Sequence, residues 1–273
     1  MAESVRLLCD ARAAIGETPI AFEGGVLWTD PVSRRLLHCA GPLETAATDR
    51  PVWSLAMLPE GQVAGASDDA FGLMARDRTW RFGPAATLDP GCRFNDMAVD
   101  PDGGLWVGAM HRGVLAARGS LYHAPSIDAR PVRVASGLGV PNGMKVSADG
   151  ATLFVVDTLA RTLLAYPRRH GALGEPVIVT DFMGLPGKPD GMTVDADGTF
   201  HVAMWGGGGV AHVAADGATL GFTALPAPHV SSLCFAAPGR LAVTTSRMRL
   251  SDAALAAQPF SGGLFEITLE AAA

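Results

Sequence analysis

Residues 97–110, MAVDPDGGLWVGAM, consist of a short apolar segment, a turn ending in glycine, and a second apolar segment. This is the pattern of two β-strands joined by a tight turn. Four further copies follow the same pattern, at residues 55–67, 144–157, 192–205 and 233–246. A sixth, degenerate copy is PIAFEGGVLWTD at residues 19–30. The chain is therefore predicted to be built from six related hairpins.

The spacing of these hairpins indicates the architecture. Their turn glycines, taken as Gly25, Gly61, Gly103, Gly150, Gly198 and Gly239, are separated by 36, 42, 47, 48 and 41 residues. A period of about 40–50 residues with four strands per repeat is typical of β-propeller blades. The prediction is an all-β, six-bladed β-propeller, a single domain over residues 1–273, with the N-terminal strand VRLLCDA (5–11) closing the last blade. A β-sandwich is the alternative, and the regular period disfavours it.

The composition agrees with a globular protein that does not bind nucleic acid. Hydrophobic residues make up 48% of the chain, charged residues make up 18%, and the formal net charge is −6. The start of the chain lacks the apolar core of a signal peptide, and no apolar run approaches the ~20 residues that span a membrane. We expect a cytoplasmic protein, a monomer or weak homo-oligomer without a membrane partner, with its four separated cysteines as free thiols.

The repeat register places six residues at equivalent positions. Eight residues before the turn glycines, the chain has Glu17, Trp53, Asn95, Asn142, Asp190 and Ser231. Each precedes the first strand of a hairpin, and in a propeller these innermost strands begin around one end of the central channel. Taken singly, Pro-Asn-Gly (141–143) and Pro-Asp-Gly (189–191) are ordinary turns and Glu17 is an ordinary loop carboxylate. Their common phase favours a shared site.

Glu17, Asn142 and Asp190 together offer two carboxylates and an amide oxygen. Two carboxylates close together repel each other unless a cation lies between them. The all-oxygen set predicts one divalent metal ion, with Ca²⁺ favoured, Mg²⁺ and Mn²⁺ also suited, and Zn²⁺ or Fe²⁺ as alternatives. His111 follows the second strand of the hairpin that contains Arg93 and Asn95, and it is a candidate for the same end of the channel.

The same segments carry a family resemblance. GETPI (16–20), RFNDMAVDPDGGLWVGAM (93–110), PNGMKVSADGATLFVVDT (141–158) and PDGMTVDADGTFHVAMWGGG (189–208) resemble the senescence-marker-protein/gluconolactonase family, as does the closing segment LSDAALAAQPFSGGLFEI (250–267). The resemblance implies a six-bladed propeller, in agreement with the repeat count. It also implies that Glu17, Asn142 and Asp190 are metal ligands, that Asp190 is the general base, and that Arg93 and Asn95 contact substrate hydroxyls.

Two positions depart from the family pattern. Thr18 stands where members usually carry glycine, and GAMHRG (108–113) has His111 and Arg112 where animal members carry acidic residues. The second segment is similar to that of bacterial aldonolactonases. The expected function is therefore metal-dependent hydrolysis of an aldono-1,4- or 1,5-lactone, with Trp53 as an apolar wall and His111 as a substrate contact. A metal-dependent esterase or phosphotriesterase and a non-catalytic calcium-binding propeller are the alternatives.

Overall fold

The computed structural model describes residues 2–269, and of Ala2 and Glu3 it describes the backbone alone. The chain divides into two compact units: unit 1 is Met1–Pro51 with Met183–Ala273, and unit 2 is Val52–Phe182. Of the predicted domain 1–273, residues 1 and 270–273 lie outside the described part. Each unit contains three antiparallel sheets.

Unit 1 contains the first, fifth and sixth sheets. The first sheet consists of β2 (Glu17–Phe22), β3 (Gly25–Asp30), β4 (Arg35–Cys39) and β5 (Leu43–Ala47). The fifth consists of β19 (Lys188–Val194), β20 (Phe200–Trp205), β21 (Gly209–Val213) and β22 (Thr219–Ala224). The sixth consists of β23 (Val230–Ala237), β24 (Arg240–Thr245), β25 (Leu264–Leu269) and β1 (Ala2–Cys9).

Unit 2 contains the second, third and fourth sheets. The second sheet consists of β6 (Ser54–Met57), β7 (Val63–Ala66), β8 (Phe71–Met74) and β9 (Trp80–Phe82). The third consists of β10 (Cys92–Val99), β11 (Leu105–His111), β12 (Gly119–Ala124) and β13 (Val132–Leu138). The fourth consists of β14 (Pro141–Val146), β15 (Thr152–Asp157), β16 (Thr162–Arg169), β17 (Ala172–Leu173) and β18 (Val177–Asp181).

Six sheets, one for each hairpin repeat, confirm the prediction of a six-bladed β-propeller. The sixth sheet receives its fourth strand from the N-terminus, because β1 pairs antiparallel with β25 from Ala2↔Leu269 to Cys9↔Leu264. This confirms that the N-terminal strand completes the last blade. The fourth sheet has one strand more than predicted, since β16 continues to Arg169 and turns into the two-residue β17.

The first hairpin corrects one turn glycine. Phe22 pairs with Gly25, so the turn consists of Glu23 and Gly24, with φ of 45° and 74°. A two-residue hairpin turn of this kind needs positive φ at both positions, which glycine adopts without steric cost. Gly24 is therefore the turn glycine of this repeat, and Gly25, the predicted one, already belongs to β3. The other five predicted turn glycines all have positive φ.

Apolar side chains fill the space between neighbouring sheets within each unit. In unit 2, Phe71, Phe94 and Tyr122 join the second and third sheets, and all three are at most 2% exposed. In unit 1, Trp28, Leu37 and Leu264 form part of the core between the first and sixth sheets. These cores receive continuous buried runs from β3, β11 and β24, whose residues are buried along nearly the whole strand. They hold the strand ends that carry the candidate site.

Helical structure is confined, among the described residues, to α1 (Asp252–Ala257). The Oγ of Ser251 caps it by accepting a hydrogen bond from the Ala254 N–H at 3.2 Å, which satisfies one of the unpaired donors of the first turn. In residues 2–269, helices of the length and apolarity needed to cross a membrane are absent.

Two buried histidines form a hydrogen-bonded chain in the fifth sheet. Nδ1 of His201 lies 2.7 Å from Nδ1 of His212, and His201 Nε2 lies 3.3 Å from the Asp195 carboxylate. His212 Nε2 lies 2.8 Å from Thr223 Oγ1. These contacts are all satisfied when both rings are neutral, with His201 protonated on Nε2 and His212 on Nδ1. Burial lowers the pKa of both histidines, that of His212 to about 4.

This pair is expected to make folding stability depend on pH between about 6.5 and 4. An unfolded histidine takes up a proton below about pH 6.5, whereas the folded pair stays neutral. The unfolded state therefore binds more protons in this window, and the free energy of unfolding falls as the pH falls. At about 1.4 kcal/mol per pKa unit, His212 accounts for up to about 3 kcal/mol.

Urea unfolding at several pH values between 7 and 4 measures this slope. His212→Gln, which removes the titrating ring, should flatten it, whereas His170→Gln, at an exposed turn, should not. Equal slopes in wild type and His212→Gln would contradict the prediction.

Candidate active site

A bulge marks the predicted site position in five of the six repeats. The pairing of the first two strands of a sheet shifts by one residue at Glu17/Ile20, Phe94/Met97, Asn142/Met144, Pro189/Met192 and Val230/Ser232. The second sheet lacks this shift. A bulge adds one residue to a strand and changes the direction of its side chain. The predicted residues Glu17, Asn95, Asn142, Asp190 and Ser231 all lie at or beside these bulges.

In unit 2, Asn95 and Asn142 are in direct contact. Asn95 Nδ2 donates to Asn142 Oδ1 at 2.5 Å and to the Pro141 carbonyl oxygen at 3.0 Å. Asn142 Nδ2 in turn donates to Thr158 Oγ1 at 2.9 Å. Asn142 is 8% exposed, so this amide is held in one orientation with its oxygen toward Asn95. Thr158, which the sequence did not single out, fixes which side of the amide carries the oxygen.

Asp96 holds the backbone beside Asn142. Its Oδ2 accepts a hydrogen bond from the Gly143 N–H at 2.9 Å, next to the bulge of β14. Burial raises the pKa of Asp96 to about 6, against the opposing effects of this hydrogen bond and of the positive charges of Arg93 and Lys145. Asp96 thus ties β10 to the strand that carries Asn142.

Arg93 lies over the ring of Trp53. Its guanidinium carbon is 3.4 Å from the ring centroid, and its Nη1 donates to Asn95 Oδ1 at 2.8 Å and to the Phe94 carbonyl at 2.6 Å. Trp53 donates through Nε1 to Asp68 Oδ1 at 2.7 Å. The structure therefore brings three predicted residues, Trp53, Arg93 and Asn95, into one group. Because Arg93 covers one face of the Trp53 ring, Trp53 supports a cation and can offer a substrate only its other face.

The side chain of His111 lies on the opposite face of the third sheet from that of Arg93. Arg93 pairs with Met110, and His111 pairs with Cys92. Neighbouring residues of a strand point to opposite faces, so His111 faces away from Arg93. Its Nδ1 accepts a hydrogen bond from the Gly113 N–H at 3.0 Å, and its ring lies against Gly91. The next residue, Arg112, reaches the group instead, because its Nη2 lies 2.9 Å from Asp68 Oδ1.

In unit 1, the strand ends of Glu17 and Asp190 lie on either side of β23. Ser231 Oγ donates to the carbonyl oxygen of Gly16, the residue before Glu17, at 2.6 Å. On the other side, a Cβ added to Gly191, the residue after Asp190, would lie within 2.7 Å of Ser232. Only glycine allows this close approach. The structure therefore holds the backbone next to Glu17 against Ser231 and the backbone next to Asp190 against Ser232, and Asp190 is 7% exposed.

Two buried aspartates that the sequence did not single out hold the segments before the site strands. Asp30, at the end of β3, accepts hydrogen bonds from the N–H groups of Ala14 and Ile15. Asp157, at the end of β15, does the same for Gly139 and Val140. The sequence signal was an aspartate ending the second strand of a hairpin, in WTD (28–30) and VVD (155–157). Asp30 thus holds the chain just before Glu17, and Asp157 holds the chain just before Asn142.

The conformation of Thr18 bears on the metal prediction. Thr18, where the family resemblance expects glycine, has φ of 41°, a conformation that is strained for a β-branched residue. The backbone next to Glu17 therefore keeps the left-handed conformation that glycine favours, despite the substitution.

The residues present fit a hard divalent cation by their donor chemistry. Glu17 and Asp190 offer carboxylate oxygens in unit 1, and Asn142 in unit 2 offers an amide oxygen whose orientation is fixed. Ca²⁺, Mg²⁺ and Mn²⁺ take such oxygen ligands. Clusters of three or more His, Cys, Asp and Glu side chains that could hold a metal are absent from residues 4–269, whose side chains the structure describes. The predicted ligand set of Glu17, Asp190 and Asn142 is not a cluster of this kind, since Asn142 contributes an amide and not a His, Cys, Asp or Glu side chain.

Comparison with known proteins gives consistent similarities over most of the chain. A family model described as the SMP-30/Gluconolactonase/LRE-like region matches residues 15–247. A pentonolactonase of Haloferax volcanii is 33% identical over 89% of this chain and 85% of its own. An L-arabinolactonase of Azospirillum brasilense is 34% identical over 63% of this chain and 59% of its own. The crystal structure of regucalcin, a calcium-binding protein from Agrobacterium tumefaciens, aligns with a TM-score of 0.87 and 28% identity, covering 98% of this chain and 95% of the other.

Proposed function

Because the chain belongs to the SMP-30/gluconolactonase/LRE-like family, we propose that it hydrolyses a sugar lactone to the corresponding aldonic acid. The substrate we favour is an aldono-1,4- or 1,5-lactone. The names of its lactonase relatives support this substrate class. The observation that carries the proposal is the hydrogen-bonded group of Arg93, Asn95 and Asn142, in which the Arg93 guanidinium lies next to Asn95 and Asn95 contacts an amide oxygen of fixed orientation.

The proposed cofactor is one divalent metal ion, with Ca²⁺ favoured and Zn²⁺, Mn²⁺, Mg²⁺ and Fe²⁺ as alternatives. Glu17, Asn142 and Asp190 would hold it, as their register and donor atoms suggest. When bound, such an ion polarises the lactone carbonyl and offsets the negative charge that develops on its oxygen. Asn95 orients Asn142 by hydrogen bonding to its oxygen, so we assign Asn95 to ligand alignment as well as to substrate binding.

Asp190 is proposed as the general base. Its carboxylate takes a proton from the attacking water while the water oxygen forms a bond to the carbonyl carbon. The bond between that carbon and the ring oxygen then breaks, and the proton is returned to the leaving hydroxyl. Water is added across one C–O bond, and no oxidant or reductant is needed. Arg93 orients the lactone through its hydroxyls, with a planar group of donors that the Trp53 ring holds in place.

The proposed function is tested by the rates of hydrolysis on a panel of substrates. The panel contains xylono-1,4-lactone, glucono-1,5-lactone, an aryl ester and a phosphotriester, and spontaneous hydrolysis is subtracted from every rate. We expect the lactones to have the highest kcat/KM. Faster turnover of the ester or the phosphotriester would favour the alternative hydrolases. Tight Ca²⁺ binding without turnover of any substrate would favour a non-catalytic calcium-binding protein.

His111→Ala is expected to raise KM about threefold and to leave the metal content unchanged. The change removes the acceptor for the Gly113 N–H and so loosens the turn that carries Arg112. The loss of one exposed hydrogen bond is worth a few-fold at most. Steady-state kinetics and metal analysis of the same sample measure both effects, with His170→Ala as the exposed control. Loss of metal from His111→Ala would instead make His111 a ligand.

A further inference from the structure

Asp68 contacts both the indole of Trp53 and the guanidinium of Arg112 through one carboxylate oxygen. Its Oδ1 accepts the indole N–H of Trp53 at 2.7 Å and lies 2.9 Å from Nη2 of Arg112. The guanidinium of Arg93 lies over the face of the same Trp53 ring. Asp68 lies in the segment between β7 and β8, and the sequence pattern did not indicate it. The connection therefore runs from the second sheet to two residues of the third.

The bond to Asp68 determines where the Trp53 ring lies. An indole ring has two rotatable side-chain bonds, and a hydrogen bond from its single N–H to a fixed carboxylate restricts both. Arg93 is attracted to the face of that ring, so the orientation of the ring sets the position of the guanidinium. An acceptor at position 68 thus helps to keep the donors of Arg93 in one place, together with the hydrogen bonds of Arg93 to Asn95 and Phe94.

We infer that Asp68 is a positioning residue for substrate binding, which acts on Arg93 through the ring of Trp53 and directly on Arg112. The inference rests on the proposed function, in which Arg93 contacts the hydroxyls of the lactone. Asp68 itself touches neither the substrate nor the reacting atoms. Arg112, whose side chain is 49% exposed, is held by the same carboxylate and presents its remaining donors near the Trp53–Arg93 pair.

The side chain of Asp68 is separate from the contact that holds its own segment. Its backbone carbonyl accepts a hydrogen bond from the Phe94 N–H at 2.8 Å, which fixes the segment against β10. The side chain is 35% exposed, so its truncation leaves no buried cavity. We therefore expect Asp68 variants to fold and to differ from wild type in substrate binding.

Steady-state kinetics at saturating metal test this role. Asp68→Ala removes the acceptor for Trp53 Nε1 and is expected to raise KM about tenfold with kcat within about twofold, because loss of a uniform binding interaction changes KM alone. Asp68→Asn keeps an oxygen acceptor for Trp53, and its KM should rise by no more than about threefold. The control is Asp128→Ala, which removes an exposed ion pair with Arg81 elsewhere in unit 2.

A double-mutant cycle shows whether Asp68 acts through Arg93. If it does, Asp68→Ala in an Arg93→Met background should raise KM by no more than about threefold beyond Arg93→Met alone, because only Arg112 remains of the two arginines that Asp68 positions. A full tenfold increase in that background would overturn the positioning role. So would a KM for Asp68→Ala that equals the wild-type value.

A measurement without substrate separates this inference from the proposed function. The five tryptophans give five indole N–H signals in a ¹⁵N spectrum, and the Trp53 signal is the one lost in Trp53→Phe. Asp68→Ala should move that signal, whereas Asp128→Ala should not. An unmoved signal overturns the positioning role even if lactones are hydrolysed. If the signal moves in Asp68→Ala as expected but the wild-type protein hydrolyses no lactone, the proposed function is overturned instead.

Discussion

Asp190→Asn is expected to lower kcat by about 10²–10⁴-fold at saturating metal, the usual scale for loss of a general base. Asparagine keeps an oxygen of nearly the same shape, but it lacks the charge and the basicity of the carboxylate. Position 190 is 7% exposed and lies beside the bulge of β19, so the isosteric change leaves its packing intact. The deficit should therefore come from the chemistry of the side chain.

Metal titration separates the two roles proposed for Asp190. If Asp190 were a ligand alone, added metal would overcome the weakened binding, and kcat would recover. If it is also the base, the deficit persists in a sample whose metal content, counted directly, equals that of wild type. Spontaneous lactone hydrolysis must be subtracted before the comparison. A fully metallated Asp190→Asn enzyme with near-normal kcat would contradict the base assignment.

Glu17→Gln and Asn142→Ala are each expected to weaken metal binding and to abolish turnover at metal concentrations that saturate wild type. Glu17→Gln removes one of two negative charges from the proposed ligand set, and Asn142→Ala removes its amide oxygen. The fold should persist, because strand pairing and apolar cores hold the sheets together. Isothermal titration with Ca²⁺ and circular dichroism measure the two expectations separately.

Glu60→Gln is the matched control for this pair, since it makes the same change at an exposed hairpin turn. It should bind metal and hydrolyse lactone as wild type does. Full activity of both Glu17→Gln and Asn142→Ala after chelation and metal titration would show that the ligand assignment is wrong.

The sequence predicted the architecture because the architecture is repetitive. Six hairpins with a common register are visible in a single chain, and the structure confirms six sheets and a last sheet closed by β1. The errors lie where local geometry departs from the repeat. In the first hairpin Gly24, one residue before the predicted Gly25, occupies the turn, and in the fourth sheet β17 adds a strand. A residue count cannot distinguish such one-residue differences.

The candidate site was predicted less completely because its contacts join residues that are distant in sequence. The register selected Trp53, Asn95 and Asn142, and the structure brings these residues together with Arg93. The register did not indicate Asp68, whose carboxylate matters only because it contacts Trp53 and Arg112. His111 was selected by its position after β11, but strand alternation places it on the opposite face from Arg93. The roles of Glu17 and Asp190 as ligands stay predictions.

Metal removal and restoration test metal-dependent lactone hydrolysis most directly. Wild-type protein is stripped with a chelator, dialysed, and assayed on xylono-1,4-lactone before and after addition of Ca²⁺, Mn²⁺, Mg²⁺, Zn²⁺ or Fe²⁺, with bound metal counted in each sample. We predict that the stripped protein is folded but has no activity above the spontaneous rate, and that activity returns in proportion to one bound ion per chain. Undiminished hydrolysis by protein that contains no metal would contradict the account.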